Sequence, residues 1–296
     1  MQENTLQQER KYCARLGWSL VLTTVIMLVW QLWLTGLAFF GRLSGGMSTY
    51  MLLTLVGYYL PALPLSYWLC RKIPVPPLVS RPVTARLIGR WFVIGIALME
   101  IGSVIGTWLN DLVYRVARLE PVDLVSEAMN EMPLSVVLLG GCILGPLCEE
   151  LLFRGLLAKR LVRYGQKPAA FVSALLFGLY HANLSQFCYA FLLGLLLAYA
   201  MFYTGKLKAS VLLHILFNLY GSFIVFLLPE SGVLPVLYVL SWPVLTVAGV
   251  ILLLRGRKTH IWEHGPCAPS MRAVFGSVGM TAAIVVFFVE TALMYI

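Results

Sequence analysis

Ionisable and amide side chains stand inside long apolar runs of this sequence, in three short groups. In chain order the groups are Glu149, Glu150 and Arg154, then His181, then His214 and Asn218. A charged group at bilayer depth costs about 3 kcal/mol on insertion scales, so residues of this kind are candidates for function. We therefore take these positions as the candidate reactive residues and ask which elements bring them together.

The first group, in the segment GPLCEELLFRG, combines one acid that has a partner with one that has none. Glu150 and Arg154 are four residues apart, so on a helix they share a face and can form an ion pair. Glu149 points about 100° away from its neighbour and has no such partner in sequence. We expect Glu150 to be structural and Glu149 to be the reactive carboxylate. A carboxylate without an ion-pair partner is free to act as a general base.

The second and third groups offer nitrogen donors and acceptors. His214 and Asn218 are four residues apart and would form a polar stripe one turn long on an apolar helix. His181 follows Phe177 by one turn, near the end of another apolar run. Histidine and asparagine can both donate N–H groups to an oxyanion. A single such residue is often only an interhelical hydrogen-bond partner, so the prediction depends on all three groups meeting in one cavity.

The composition predicts a membrane protein. Hydrophobic residues make up 60% of the 296 residues and charged residues 12%, whereas soluble domains are about half apolar and about a quarter charged. The net charge of +9 comes from basic residues between apolar runs, which indicates membrane topology and anionic lipids rather than nucleic acid. The predicted fold class is an all-α polytopic transmembrane helix bundle.

Apolar runs predict eight or nine spans, with the N-terminus in the cytoplasm. The nine runs are 17–40, 48–70, 87–109, 133–158, 168–184, 186–204, 207–228, 233–254 and 272–294. When sides alternate from a cytoplasmic N-terminus, 18 of the 22 Lys and Arg residues fall on the cytoplasmic side and 3 outside, with Arg154 inside a span. This distribution follows the positive-inside rule. Eight spans remain possible if the last run is not inserted.

The runs divide the chain into three regions. Residues 1–132 hold the N-terminal spans and an outer polar segment, 133–228 hold the catalytic core, and 229–296 hold the C-terminal spans. Within the outer segment, Val122–Met132 can form a short amphipathic helix on the membrane, although an ordinary polar connection is favoured. The six cysteines form no CxxC pair, and we expect them, Cys148 included, to serve in packing.

The three groups resemble the motifs of the CAAX prenyl endopeptidase and bacteriocin-processing (CPBP) family of intramembrane proteases. The family motifs EExxxR, FxxxH and HxxxN are matched in order by Glu149, Glu150 and Arg154, by Phe177 and His181, and by His214 and Asn218. The resemblance covers residues 138–222. It implies a helical bundle around a water-filled cavity, and proteolysis without a covalent intermediate.

The resemblance also implies a role for each residue. Glu149 and His181 would activate water, His214 and Asn218 would stabilise the oxyanion, and Glu150 and Arg154 would brace the site. No cofactor or metal is expected. The expected partners are membrane lipids and a peptide or protein substrate, possibly lipidated or membrane-anchored. The expected location is a bacterial cytoplasmic membrane, with archaeal and endoplasmic reticulum membranes as alternatives.

Three other functions remain open at this stage. Glu149, His181 and His214 form a His₂Glu set that is adequate for zinc, so a metalloprotease of the same architecture is one alternative. A non-proteolytic immunity or scaffold protein could keep the same fold. Intramembrane acids and histidines also build proton relays, which makes a proton-coupled transporter the third alternative. The lack of an internal repeat in the sequence argues against a transporter.

Overall fold

The computed structural model describes residues 2–42, 46–119, 132–256 and 270–295, and within these ranges the chain is helical, with no strand. The helices are α1 (Gln2–Phe39), α2 (Gly46–Cys70), α3 (Ala85–Ala117), α4 (Leu134–Tyr164), α5 (Gln166–Tyr180), α6 (Leu184–Thr204), α7 (Leu207–Leu227), α8 (Val233–Gly256), α9 (Ser270–Phe275) and α10 (Val278–Leu293). Among the described helices, seven (α1–α4 and α6–α8) are long and apolar enough to cross a membrane. The predicted all-α membrane bundle is confirmed.

Helices α5 and α10, with 15 and 16 residues, are shorter than the seven long helices but run between the same two ends of the bundle. At one end Arg163, next to the start of α5, forms an ion pair with Glu9 of α1 at 2.7 Å. At the other end Asn110 hydrogen-bonds with both Ser185, in the first turn of α6, and Tyr295, just after α10. Every predicted apolar run therefore corresponds to helix, while the number of spans and the orientation stay predictions.

The last apolar run, 272–294, is two helices rather than one. The break falls at Gly276 and Ser277, between α9 and α10. The Ser277 hydroxyl donates to the Val274 carbonyl at 2.8 Å, so it satisfies an acceptor that the end of α9 leaves open. Serine and glycine at consecutive positions thus permit a break that hydropathy alone does not reveal.

Two sequence predictions fall largely or wholly outside the described residues. The amphipathic segment Val122–Met132 lies outside the described residues except for Met132. Cys267 also lies outside them. The other five cysteines are free thiols, four of them buried. Their placement is that of the packing residues expected from the sequence.

Helices α4 and α5 form an antiparallel hairpin that turns at Gly165. This residue has φ 110° and ψ 152°, a conformation in which glycine avoids the steric cost of a side chain. Phe153 lies twelve residues before the turn and Phe177 twelve after it, and their ring centroids are 5.2 Å apart. Glu149 and His181 likewise lie sixteen residues before and after Gly165. The hairpin therefore brings this acid and this histidine to the same depth.

A three-residue turn reverses the chain again between α5 and α6. Ala182 has φ 49°, a left-handed conformation that is unfavourable for a residue with a Cβ atom. Asn183 then caps α6, since its Oδ1 accepts from the backbone N–H groups of Ser185 at 2.9 Å and Gln186 at 3.2 Å. The apolar runs 168–184 and 186–204 leave one residue between them, and the structure has a correspondingly short connection directly after His181.

The cap predicts a measurable loss of stability in the Asn183→Ala variant. Alanine cannot accept from the first N–H groups of α6, so unfolding in detergent should become easier by about 1 kcal/mol. Asn183→Ser keeps a capping oxygen and should unfold close to the wild type. Equal unfolding midpoints for the alanine and serine variants would contradict a stabilising role for the cap.

On the far side of the bundle α3 packs against α6 and α8. Gly102 and Gly106 of α3, one turn apart, lie directly against the backbone of α6 at Tyr189 and Ser185. Small residues at this spacing let two membrane helices approach closely. Helix α6 is therefore held between the α4–α5 hairpin on one side and α3 on the other.

Candidate active site

The acids of the first motif lie on an irregular helix. In α4 a regular α-helical segment, Gly145–Glu150, is flanked by π-helical segments, Val137–Leu144 and Leu151–Ala158. Pro146 is the second residue of the regular segment and has no N–H to continue the helical ladder. Single π-helical turns within α-helices are frequent at functional sites because they redirect side chains. Glu149 and Glu150 thus sit where the direction of the side chains is set by the irregular geometry.

Side chains from neighbouring helices hydrogen-bond to the second π-helical segment. Tyr67 of α2 donates its hydroxyl to the Leu151 carbonyl at 2.8 Å. Ser173 of α5 donates to the Phe153 carbonyl at 2.9 Å. These bonds satisfy backbone acceptors within an apolar bundle, where an unsatisfied carbonyl is costly. The irregular part of α4 is therefore held in place from two sides.

Glu150 and Arg154 form the ion pair that their spacing predicts. Arg154 Nη1 lies 2.8 Å from Glu150 Oε1, and both side chains are 0% exposed. Arg154 Nη2 also donates to the Gly194 carbonyl of α6 at 3.3 Å. Its guanidinium carbon lies 4.2 Å from the centre of the Phe177 ring, a cation–π arrangement. One buried arginine thus connects α4, α5 and α6.

His214 of α7 lies between the two acids. Its Nδ1 is 3.0 Å from Glu150 Oε1, and its Nε2 is 3.7 Å from Glu149 Oε2. Because the Glu150 carboxylate is paired with Arg154, it accepts, and Nδ1 carries the hydrogen. Glu149 is more accessible than its neighbour, with 20% of its side chain exposed. The structure therefore has one enclosed acid and one open acid, and His214 faces both.

His181 is oriented by the end of α5. Its Nδ1 lies 2.8 Å from the Phe177 carbonyl oxygen, one of the acceptors that a helix terminus leaves without a partner within the helix. A carbonyl oxygen can only accept, so the hydrogen is on Nδ1 and the lone pair of the neutral ring is on Nε2. His181 also lies close enough to Glu149 and His214 to interact with both electrostatically. It therefore presents a proton acceptor near the open acid.

The Phe177 ring is at the centre of these residues. Ring centroids of His181 and His214 lie 4.8 Å and 5.6 Å from its own, both edge to face. Arg154 covers the ring, as described above. One aromatic side chain thus packs against the guanidinium and against both histidines.

Asn218 is placed differently from the other candidates. Its Nδ2 donates to the Gly141 carbonyl at 3.0 Å, in the first π-helical segment of α4. Helix α7 itself becomes π-helical immediately after Asn218, at Leu219–Phe223. The structure therefore joins this residue to the α4 backbone rather than to the acids. An amide has two N–H donors, so the second can serve another acceptor.

Several contacts to the site come from residues that the sequence does not single out. Gly194 supplies the carbonyl for Arg154, and Tyr67 and Ser173 bond to the α4 backbone. Tyr59 of α2 lies close enough to Glu149 to interact with it electrostatically. Each is a single residue in an apolar helix, and only the packing of the helices shows what it contacts.

The Gly194→Ala variant is expected to disturb the site from α6. A Cβ atom at Gly194 would lie 3.0 Å from the Ala174 side chain and 3.2 Å from Arg154 Nη2. Overpacking of this kind costs about 1–3 kcal/mol, so the unfolding midpoint should fall. Gly89→Ala is the matched control, since its Cβ would meet nothing within 4 Å. Similar midpoints for the two variants would mean that α6 can move away from Arg154 at no cost.

Comparison with known proteins gives one finding about the family. The family model for type II CAAX prenyl endopeptidase Rce1-like proteins matches residues 131–220, a segment that contains all six candidate residues. This match confirms the resemblance inferred from the three motifs and supports a CAAX-type protease. No curated protein and no solved structure matches the chain.

Proposed function

We propose that this protein is an intramembrane glutamic endopeptidase in which Glu149 activates the water that hydrolyses a peptide bond. The observation that supports this most strongly is the difference between two adjacent acids. Glu150 is enclosed and bonded to Arg154 and His214, whereas Glu149 is open and has His214 and His181 near it. A carboxylate in this position can take a proton from water.

In the proposed reaction the Glu149 carboxylate removes a proton from water as the water oxygen attacks the peptide carbonyl carbon. The C–N bond then breaks, and Glu149 returns the proton to the leaving nitrogen. His181 Nε2 orients the water by accepting its second hydrogen. No bond forms between the protein and the substrate, and one water oxygen ends in the new carboxylate.

His214 and Asn218 are the proposed donors to the oxyanion. Since His214 Nδ1–H is directed at Glu150, its Nε2 can donate only when the ring is the imidazolium ion. Asn218 contributes the N–H that does not bond to Gly141. In this scheme Glu150 and Arg154 hold the His214 ring in place and do not touch the substrate.

Access from the membrane is supported by an apolar groove beside Glu149. The groove, of about 330 Å³, lies between α2 and α4 and is lined by Tyr59, Leu63, Leu144, Cys148 and neighbouring apolar residues. Its walls suit apolar groups of a peptide or protein substrate that is lipidated or membrane-anchored.

We propose that residues 133–228 form the catalytic core and that residues 1–132 and 229–296 flank it. The proposed location of the protein is a bacterial cytoplasmic membrane.

The alternative functions have less support from the geometry. Among the described residues, no three His, Cys, Asp or Glu side chains are grouped so that they could hold a metal ion. A transporter would be expected to have polar groups along a path. The candidate residues instead surround the single open acid Glu149. A scaffold role has no observation in its favour.

The test is a cleavage assay with the purified protein in H₂¹⁸O. A library of short membrane-compatible peptides is incubated with wild-type protein, with Glu149→Gln as the blank, and products are read by mass spectrometry. We expect cleavage with one ¹⁸O in the new carboxylate and with no loss of activity in a zinc chelator. Loss of activity in chelator that added zinc restores would overturn the metal-free mechanism in favour of the metalloprotease.

A further inference from the structure

A second groove lies on the opposite face of α6, where α3, α6 and α8 meet. Its volume is about 510 Å³, and its walls are mostly leucine and isoleucine side chains, among them Ile94, Leu196 and Leu253. Arg90 is the one charged side chain in the described lining, and Tyr199 and Tyr203 line the groove with it. The groove is thus an apolar channel with a polar end, separate from the candidate active site.

The groove is as long as one leaflet of a bilayer. Its lining on α3 runs from Leu87 to Leu98, and on α6 from Leu192 to Tyr203. Eleven residues of helix rise about 16 Å, and half of a typical hydrocarbon core of about 30 Å is about 15 Å. The polar end coincides with the start of α3 and the ends of α6 and α8. A single acyl chain therefore fits along the groove from the membrane surface inwards.

The polar end of the groove is positively charged. Arg86 lies one helical turn before Arg90, and Arg255 is in the last turn of α8, beside the lining residue Gly256. Arg81 and Arg90 both interact electrostatically with Tyr199. Within the described part of the chain, the ion pairs with carboxylates do not include Arg86, Arg90 or Arg255. This cluster suits a phosphate group, and the walls below it suit a hydrocarbon chain.

We propose that this groove binds one anionic phospholipid, with its phosphate against Arg90 and one acyl chain along α3, α6 and α8. Basic pockets between membrane helices on the cytoplasmic side are a known form of lipid head-group recognition. A soluble anion would leave the apolar walls unused. A zwitterionic lipid would bring a second positive charge to the arginines, so a net negative head group is preferred.

The bound lipid would support the helix that holds Arg154. Gly194, whose carbonyl accepts from Arg154, lies between the groove residues Leu192 and Leu195 on α6. Helix α8 has only one buried residue, Gly249, so a lipid between it and α6 would add contacts that the protein lacks. A lipid that fills the groove is therefore expected to raise the thermal stability of the bundle.

The test is native mass spectrometry of the full chain in detergent with phosphatidylglycerol or phosphatidylcholine of identical acyl chains. Wild type should retain one phosphatidylglycerol about tenfold better than Arg90→Gln does, equivalent to about 1.4 kcal/mol. Arg71→Gln, an exposed arginine at the predicted cytoplasmic end of α2 that does not line the groove, should retain it like the wild type. Equal retention by wild type and Arg90→Gln, or equal retention of the two lipids by wild type, would overturn the proposal.

A second variant tests the apolar part of the groove. Leu253 is 39% exposed, so Leu253→Trp should fold while its ring fills the channel and lowers lipid retention. Unchanged retention in this variant would overturn the proposal. If inorganic phosphate raised the unfolding temperature as much as the lipid does, the lipid proposal would be overturned in favour of a soluble anion. If the protein forms a dimer without lipid, and Leu253→Trp dissociates that dimer, the groove would be assigned to a second copy of the chain instead.

Discussion

The Glu149→Gln variant is expected to cleave peptides about 10²–10⁴ times more slowly than the wild type, the usual contribution of a general base. Glutamine has nearly the same shape as glutamate, but its amide cannot take a proton from water. Glu149 is partly exposed and is not part of the Glu150–Arg154 pair. The variant should therefore fold normally, and the loss should appear in the turnover rate rather than in the unfolding midpoint.

Glu100→Gln provides the matched control for this prediction. Glu100 is also a half-buried acid in a membrane helix, on α3, so the chemical change is identical and only the position differs. Cleavage by this variant should stay within about twofold of the wild type. If Glu149→Gln cleaved at the wild-type rate, Glu149 would not be the base, and His181 would have to take its place.

The fold class and the local pairs could be predicted from the sequence because they depend on short-range patterns. Long apolar runs define membrane helices, and the four-residue spacing of Glu150 and Arg154 places them on one helical face. The separation of an enclosed acid from an open one follows from the same geometry. The composition and three short motifs were thus enough to predict the bundle and to select its candidate residues.

Other features could not be predicted because they depend on how helices pack. The depth of His181 relative to Glu149 depends on the turn at Gly165, which brings the two residues level. The carbonyl of Gly194 receives Arg154, although nothing in the surrounding apolar run indicates an acceptor. Asn218 bonds to Gly141 across two helices, and the sequence of either helix alone does not show that the two residues meet. Hydropathy also missed the break between α9 and α10.

The largest expected effect on stability is that of Arg154→Gln. The variant would leave the Glu150 carboxylate fully buried without its arginine, with His214 and Ser210 still beside it. Breaking a buried ion pair on one side typically costs about 3–5 kcal/mol, because the remaining charge is still desolvated. The variant should therefore unfold at much lower denaturant concentration in detergent, and it should also lose the contacts of Arg154 with Gly194 and Phe177.

The same substitution at Arg115 isolates the effect of burial. Arg115 and Asp111 also form an ion pair across four residues at 2.8 Å, but their side chains are 72% and 47% exposed. Exposed pairs contribute at most about 1 kcal/mol, so Arg115→Gln should change stability little. Adding Glu150→Gln to Arg154→Gln removes the buried charge and should restore part of the lost stability, although not the activity that depends on a fixed His214. If the double variant were no more stable than Arg154→Gln alone, the arginine would act through its contacts with α5 and α6, and neutralising Glu150 would not be its main role.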